Sequence, residues 1–452
     1  MKILNVLAAV MLPLALSAQP RGIRLEECLE SAGSNDMTAR NSHLDVLSAK
    51  EVRSEALWGY FPNVGIVSWG YGAINPLVKI TSHDVLGNSD AANNLNEQIK
   101  AYTYENGIKP YYETAKYGYG IGVGAVQPVY MGGVIVNGNR LAELGVQASQ
   151  IKERINLRDM RDTVESKYWR IVALQEKEIT LKDASKLLDE VEKDVLSASG
   201  AGLATESDLL NVRLRKKELE AGMLKLRNGL KLLKMDLFNT VGLPYSYLSL
   251  KDMELTDRLD TLSSPQEIMS GEDAASALDE SRLLALNVES ARLKKKLEMG
   301  KLKPQVAIGA NYGYNDLLGQ NRPQFNGIAY ATVRIPLSAL GKIGIASRKM
   351  DYQIEKARNE QEFLDKQLDL KFDMSRLELE SAWEQLGVSR ESVIVAEDAL
   401  KHIRSNFEAG LATSSEFLQA EYSLRTEKEK MIDRMIEYRN AVSIYKSLRG
   451  EE

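Results

Sequence analysis

One nine-residue stretch occurs twice, and no other feature restricts the fold as much. Gly202-Leu203-Ala204-Thr205-Glu206-Ser207-Asp208-Leu209-Leu210 returns 208 residues later as Gly410-Leu411-Ala412-Thr413-Ser414-Ser415-Glu416-Phe417-Leu418, with six of the nine positions identical. The same offset carries Pro128 onto Pro336 and Gly133 onto Gly341, so proline and repeat stand 74 residues apart in both copies. A match that keeps its spacing to other markers is an internal duplication, and such a chain folds as two related units.

Upstream of each repeat lies strand-like sequence. The run from Tyr117 to Asn139 has 23 residues and no charge, long enough to invite a transmembrane helix. Its pattern argues against one. Tyr117, Tyr119, Ile121, Val123 and Ala125 interleave with Gly118, Gly120, Gly122 and Gly124, and the run holds seven glycines and a proline. Period two with one large apolar face is the signature of a barrel strand. In the second copy Val306, Ile308, Ala310, Tyr312 and Tyr314 alternate with Gln305, Ala307, Gly309, Asn311 and Gly313. Residues 63–72 and 327–335 supply partners, the latter less regular, giving one hairpin per copy. Pro62 to Pro128 spans 66 residues and Pro304 to Pro336 spans 32, so the first hairpin carries 34 extra. Its polar stretch at 75–113 has no clear period and reads as a long exposed loop.

Long helices follow each hairpin. From about Asn139 to Ser199 there is no proline, and 60 helical residues would reach about 90 Å. Leu181, Ala184, Leu188, Val191 and Val195 step by 3, 4, 3, 4. Beyond the repeat, Leu219, Met223, Leu226, Leu230, Leu233 and Leu237 do the same, so both runs read as coiled-coil seams. The second copy predicts helices over about 346–407 and 413–448. Residues 22–60 predict an opening helix that ends at Phe61-Pro62. Val241-Gly242-Leu243-Pro244 stops a helix, residues 245–272 link the halves, and a helix over 273–302 leads into the second hairpin. The fold class is mainly α with a transmembrane β part. Its divisions are 19–244 for the first unit, 245–272 for the linker and 273–452 for the second.

Composition narrows the function. With 58 basic and 63 acidic residues spread along the chain and a net charge of −5, no basic stripe points to nucleic acid. The single Cys28 rules out an intramolecular disulfide framework, and His43, His83 and His402 lie far apart, so no metal site is expected. There is no nucleophile elbow, HExxH motif or phosphate loop, so neither enzyme activity nor a cofactor is expected. Residues 1–18 read as an export signal: Lys2, an apolar run from Ile3 to Leu16, then Leu16-Ser17-Ala18, with cleavage after Ala18.

Lipid-facing strands must satisfy every backbone group, so a membrane sheet has to close, and four strands are too few. Association of chains would supply eight strands as a dimer or twelve as a trimer.

The duplicated hairpin-plus-helix unit resembles the TolC family of outer-membrane efflux ducts across essentially the whole mature chain. The resemblance is carried by the N-terminal helix ending at Pro62, by Gln127-Pro128-Val129-Tyr130 with Gly132-Gly133, and by Gly202-Leu203-Ala204-Thr205 followed by Asp208-Leu209-Leu210. It continues through Val241-Gly242-Leu243-Pro244 and from Lys303-Pro304 through Gly410 to Leu418. It implies a homotrimer with a 12-stranded barrel in the Gram-negative outer membrane and an α-helical tunnel through the periplasm. The helix-turn-helix tips would dock a periplasmic adaptor (a membrane fusion protein) and an inner-membrane pump, for efflux or type I secretion. The family's aperture acids fall on Glu416 and Gln419, with Asp208 and Asn211 as repeat mates; Gln419 is neutral, which puts a second acidic ring in doubt. The adaptor-contact tips would be Gly202, Leu203, Ala204, Thr205 and Gly410, Leu411, Ala412, Thr413. The short 245–272 segment predicts a small belt, the long first loop an enlarged cell-surface element, and Ile335-Pro336-Leu337 lacks the double glycine of the first copy.

The residues alone also support local readings. Thr205 with Asp208 and Thr413 with Glu416 have capping-box spacing, and Gly202 and Gly410 suit a positive φ. Leu203 and Leu411 have no core to join at a tip. The alternating glycines serve either strand packing or lumen space. Aromatic residues on the helices read as seam residues. The alternative function is a periplasmic coiled-coil adaptor or structural protein of a pump, although its Gly-alternating apolar strands do not suit one.

Overall fold

The structure is a computed structural model that describes residues 21–200, 204–246, 250, 253–270, 278–337 and 341–450. The proposed export signal, Gly202 and Leu203 lie outside the described residues. The elements are β1 (Arg21–Ile23), α1 (Leu25–Asn35), α2 (Met37–Trp58), β2 (Asn63–Gly72), β3 (Val78–Thr81), α3 (Ser82–Leu86), α4 (Asp90–Glu105), β4 (Tyr111–Thr114) and β5 (Tyr117–Tyr130). Then follow α5 (Val134–Gly200), α6 (Glu206–Val241), β6 (Met253–Leu255), α7 (Pro265–Ile268), α8 (Asp279–Lys301), β7 (Gln305–Asp316), β8 (Gln324–Arg334), α9 (Ile343–Glu408) and α10 (Ser414–Arg449). Contacts divide the chain into two compact units. One holds residues up to Leu47, 148–285 and 359 onward; the other holds 48–147 and 286–358.

The second unit is built on a four-stranded antiparallel sheet in the order β2-β5-β7-β8. The two hairpins join through β5 and β7, so the strands from both halves of the chain form one sheet. The irregular fourth strand is in fact a full one: β8 pairs with β7 from Gln324 to Arg334 without a break. The strand at Tyr117 ends at Tyr130, not Asn139, because Gly132 and Gly133 adopt positive φ of 66° and 87° and turn the chain into α5.

The stretch at 75–113 departs furthest from expectation. It folds as a paired β3 and β4 with α3 and α4 between them. Thr81 and Asp84 make a capping box, and Ser89 caps α4. Thr114 Oγ1 and the Ala115 amide both donate to the carbonyl of Leu318 at 2.8 Å, fastening this insert to the β7–β8 turn.

The other unit is helical. The opening segment is not one helix: Arg21–Ile23 pairs in parallel with Met253–Leu255, and Asp36 separates α1 from α2 by accepting from the amides of Thr38 and Ala39. The linker packs closely. Leu250, Leu255 and Leu259 are buried with Tyr168, Tyr438 and Tyr445. Arg439 lies 3.6 Å over the Trp169 ring and donates to the carbonyls of Arg258, Leu259 and Thr261. Both seams are internal: Leu181, Ala184, Leu188, Val191 and Val195 are buried, as are Leu219, Leu230 and Leu237. Helix α6 ends at Gly242, φ 68°, whose neighbour Leu243 donates to Phe238 O at 3.0 Å.

Candidate functional site

Register separates the sheet into two unlike faces. Residues directly opposite one another share a face. One row runs Ile66, Val123, Tyr312, Gly327 and the next Val64, Ala125, Ala310, Ala329. Ser68, Ile121, Tyr314 and Phe325 follow toward the hairpin ends, and Ile308, Ala331, Val306 and Val333 toward the helices. Ser68 and Gln127, which stands opposite Ile308, are the polar aliphatic side chains in these rows, and none is charged. These residues meet solvent: Ile66 is 80% exposed and Phe325 68%. Aromatic side chains mark both ends of the band. Tyr117, Tyr119, Tyr312, Tyr314 and Phe325 stand at one, and Trp58, Tyr60, Phe61 and Tyr130 at the other.

The opposite face is glycine and amide. It carries Gly65, Gly124, Asn311 and Ile328, then Val67, Gly122, Gly313 and Asn326, then Trp69, Gly120, Asn315 and Gln324. A cavity of about 430 Å³ lies against it, lined in part by Gly65, Gly124, Asn311, Thr332 and Arg334. The glycines have packing partners. A Cβ on Gly118 would stand 2.4 Å from the Tyr71 ring, on Gly120 3.0 Å from Trp69, and on Gly309 2.4 Å from Tyr330. The large rings of this face therefore lie over glycines on the adjacent strand. Gly122 and Gly313 meet backbone to backbone, with a Cβ on Gly122 only 2.6 Å from the other's Cα. Strand packing is thus the structural use of the alternation.

Strands of 10, 14, 12 and 11 residues suffice for a tilted crossing, which takes about 9–11. β2 and β8 are the sheet's edges, each with one side unpaired. Among the described residues no helix is long and apolar enough to cross a membrane.

In the helical unit the second repeat forms a tip, and the first repeat is described from Ala204 into α6. Thr205 and Thr413 cap α6 and α10, and both capping boxes are complete. Gly410 has φ 73°, and Asn406 O accepts from the amides of Leu411 and Ala412, which closes the turn. Leu411 is 80% exposed. Behind the turn Phe417 and Leu418 are buried with Val195, Val212 and Leu188, and the Phe407 ring lies 5.4 Å from Phe417. The starts of α6 and α10 are also tied by a hydrogen bond, since the Ser414 hydroxyl donates to Asp208 Oδ1.

The four proposed aperture residues differ in their engagement. Asp208 is half-buried, and the Ser414 hydroxyl, then Thr205, hold its carboxyl below the usual range. Glu416 is exposed, and the Thr413 amide and then its hydroxyl lower it too. Asn211 and Gln419 are exposed. One turn deeper lies Glu421, which the sequence did not bring forward. It is buried, with Arg425 Nε 3.7 Å from Oε1, and burial pushes its carboxyl up despite Arg425 and Arg215. Sequence reasoning also passed over an exposed apolar stripe on α9. Phe363, Leu370, Met374, Leu377, Val388 and Val395 step by 7, 4, 3, 11 and 7 along one face and are exposed. That periodicity was available in the sequence.

No protein-family model matches the chain, and no curated protein sequence does. The likeness is in three dimensions. VceC, an outer membrane protein of Vibrio cholerae, matches over 94% of this chain and 96% of its own, with TM-score 0.71 and 14% identity. The Campylobacter jejuni CmeC outer membrane channel covers 94% of this chain, with 85% of its own, TM-score 0.72 and 12% identity. The Neisseria gonorrhoeae MtrE outer membrane channel, in its open state, covers 97% with 93% of its own, TM-score 0.73 and 11% identity. The chain has the fold of these channels.

Proposed function

We propose that the chain is a TolC-type exit duct of the Gram-negative outer membrane. In this reading three copies close a 12-stranded barrel and continue it as an α-helical tunnel through the periplasm. The observation that carries the reading is the sheet: one continuous apolar face, one glycine-and-amide face, and two unpaired edges. Hydrocarbon tolerates no unpaired strand edge, so the edges require partners, and β8 of one copy meeting β2 of the next supplies them without new chemistry. The exposed α9 stripe needs cover as well, and a neighbouring copy's helices would provide it. The fold likeness to outer-membrane channels supports the same conclusion.

The duct performs no chemistry and is passive; the energy comes from an inner-membrane pump joined through a periplasmic adaptor. Leu411, projecting beyond a closed turn, is the described apolar side chain offered to that adaptor, with Ala204, Thr205, Gly410, Ala412 and Thr413 around it. Gly202 and Leu203 fill the same role in the first repeat. Asp208 and Glu416, repeated threefold, make the narrow end negative, with Asn211 and Gln419 as neutral neighbours.

Recording from protein in a planar bilayer tests this. The wild type should conduct with a cation preference, and Glu416→Ala should weaken that preference while leaving the oligomer intact. Unchanged selectivity and conductance in Glu416→Ala would remove Glu416 from the aperture.

A further inference from the structure

Just below the sheet, where β5 passes into α5, the sheet unit holds a cavity of about 570 Å³. Its wall includes Tyr130, Asn137, Arg292, Lys295, Lys296 and Lys303. Four cations around one cavity stand out in a chain whose net charge is −5. Two of them are engaged: Lys295 Nζ lies 2.5 Å from Asp351, and Arg292 3.3 Å from Glu289. The side-chain amines of Lys296 and Lys303 make no hydrogen bond or ion pair with any described residue. No acidic residue lines the cavity.

The position of the cavity identifies its ligand. Tyr130 pairs with Val306, which pairs with Val333, so the tyrosine belongs to the apolar face of the sheet and not to the glycine face. An acyl chain lying along Val306 and Val333 would bring its headgroup down past Tyr130 to these cations. Aromatic rings at the polar boundary with lysines just beyond them are the arrangement that holds a lipid at its phosphate.

We propose that this cavity binds the phosphodiester headgroup of an anionic phospholipid in the periplasmic leaflet, with Lys296 and Lys303 supplying the free charge. The proposal rests on the outer-membrane reading. It is separable from it, because one chain builds the whole cavity and lipid retention is read per chain whatever the stoichiometry.

The test is native mass spectrometry of the full-length protein, extracted in detergent and titrated with phosphatidylglycerol. Three variants are compared: wild type, Lys296→Gln with Lys303→Gln, and Lys294→Gln, which removes a charge from the same helix outside the cavity. Each free lysine should contribute roughly fivefold, so the double variant should retain the lipid about twenty-five-fold more weakly. Lys294→Gln should match the wild type, phosphatidylcholine should bind far less, and inorganic phosphate should compete only at large excess. Equal retention by the double variant would overturn the proposal, as would an equal loss in Lys294→Gln. Competition by inorganic phosphate at equal concentration would mark a free-phosphate site and overturn the lipid assignment. A wild-type chain recovered as a soluble protein would instead sink the duct reading itself.

Discussion

Asp208 takes part in two structures at once. Its Oδ2 accepts from the Thr205 amide and hydroxyl, closing the cap of α6, while Oδ1 accepts from Ser414 at the start of α10. A cap hydroxyl contributes about 1 kcal/mol. Thr205→Ala and Thr413→Ala should therefore each speed hydrogen exchange in the first turn of their own helix, leaving the Leu188–Val195 seam protected. The carboxyls of Asp208 and Glu416 are both lowered, so their stabilisation is complete above the ordinary carboxylate values and is lost only as pH falls through the depressed ones. Cation preference should then stay level between pH 8 and 5; a loss within that window would show that other groups set it. Glu421 has the opposite sign. Its pKa is raised, so the folded state is favoured below the ordinary glutamate value and pays for ionisation as pH rises. Thermal melts of Glu421→Gln should match the wild type near pH 4 and exceed it at pH 8. Both capping boxes were legible from a three-residue spacing. The tie from Asp208 to Ser414 was not, because it joins residues 206 apart through the packing of two helix pairs.

At the scale of the element, the sheet shows what a period can and cannot carry. Alternation alone placed Tyr119, Ile121 and Val123 on one face and assigned Tyr312 and Ile308 correctly in the second copy, since side chains of a strand must alternate. It could not say what the glycines do, because their partners Tyr71, Trp69 and Tyr330 sit on neighbouring strands. The packing now distinguishes among them. Gly122→Ala would set a methyl 2.5 Å from the Tyr312 carbonyl, which cannot step aside, whereas a Cβ on Gly65 meets nothing within 4 Å. Gly122→Ala should cost about 1–3 kcal/mol, read as a lower temperature for loss of the folded barrel on a gel. Gly65→Ala should melt like the wild type, and equal melting of both variants would contradict the register. The insert at 78–114 escaped notice for a physical reason. The buried side chains of α4 are the small Ala92 and the polar Asn96, and its apolar stripe of Leu95, Ile99 and Tyr102 is short and set among Asn, Gln and Glu, with Leu95 and Tyr102 exposed. β1 and β6 have three residues each, too few to show one.

For the whole molecule, the duplication at an offset of 208 residues carried most of the reading: two hairpins, two long helix pairs and two tips all follow from it. What it left open is how the pieces are bound together. The linker is held by groups whose roles depend on distant partners. Arg439 serves three carbonyls of 258–261, Tyr168 reaches Ile23 O at 2.9 Å, and Gln175 exchanges bonds with Leu255. None of these is visible in local sequence. Closure of the conduit is the largest such question, since it needs strands that one chain lacks. The decisive measurement is the mass of the particle extracted by detergent from outer membranes after expression with residues 1–18 intact. Three chains per particle are predicted, and a monomer recovered from the soluble periplasm would contradict the account.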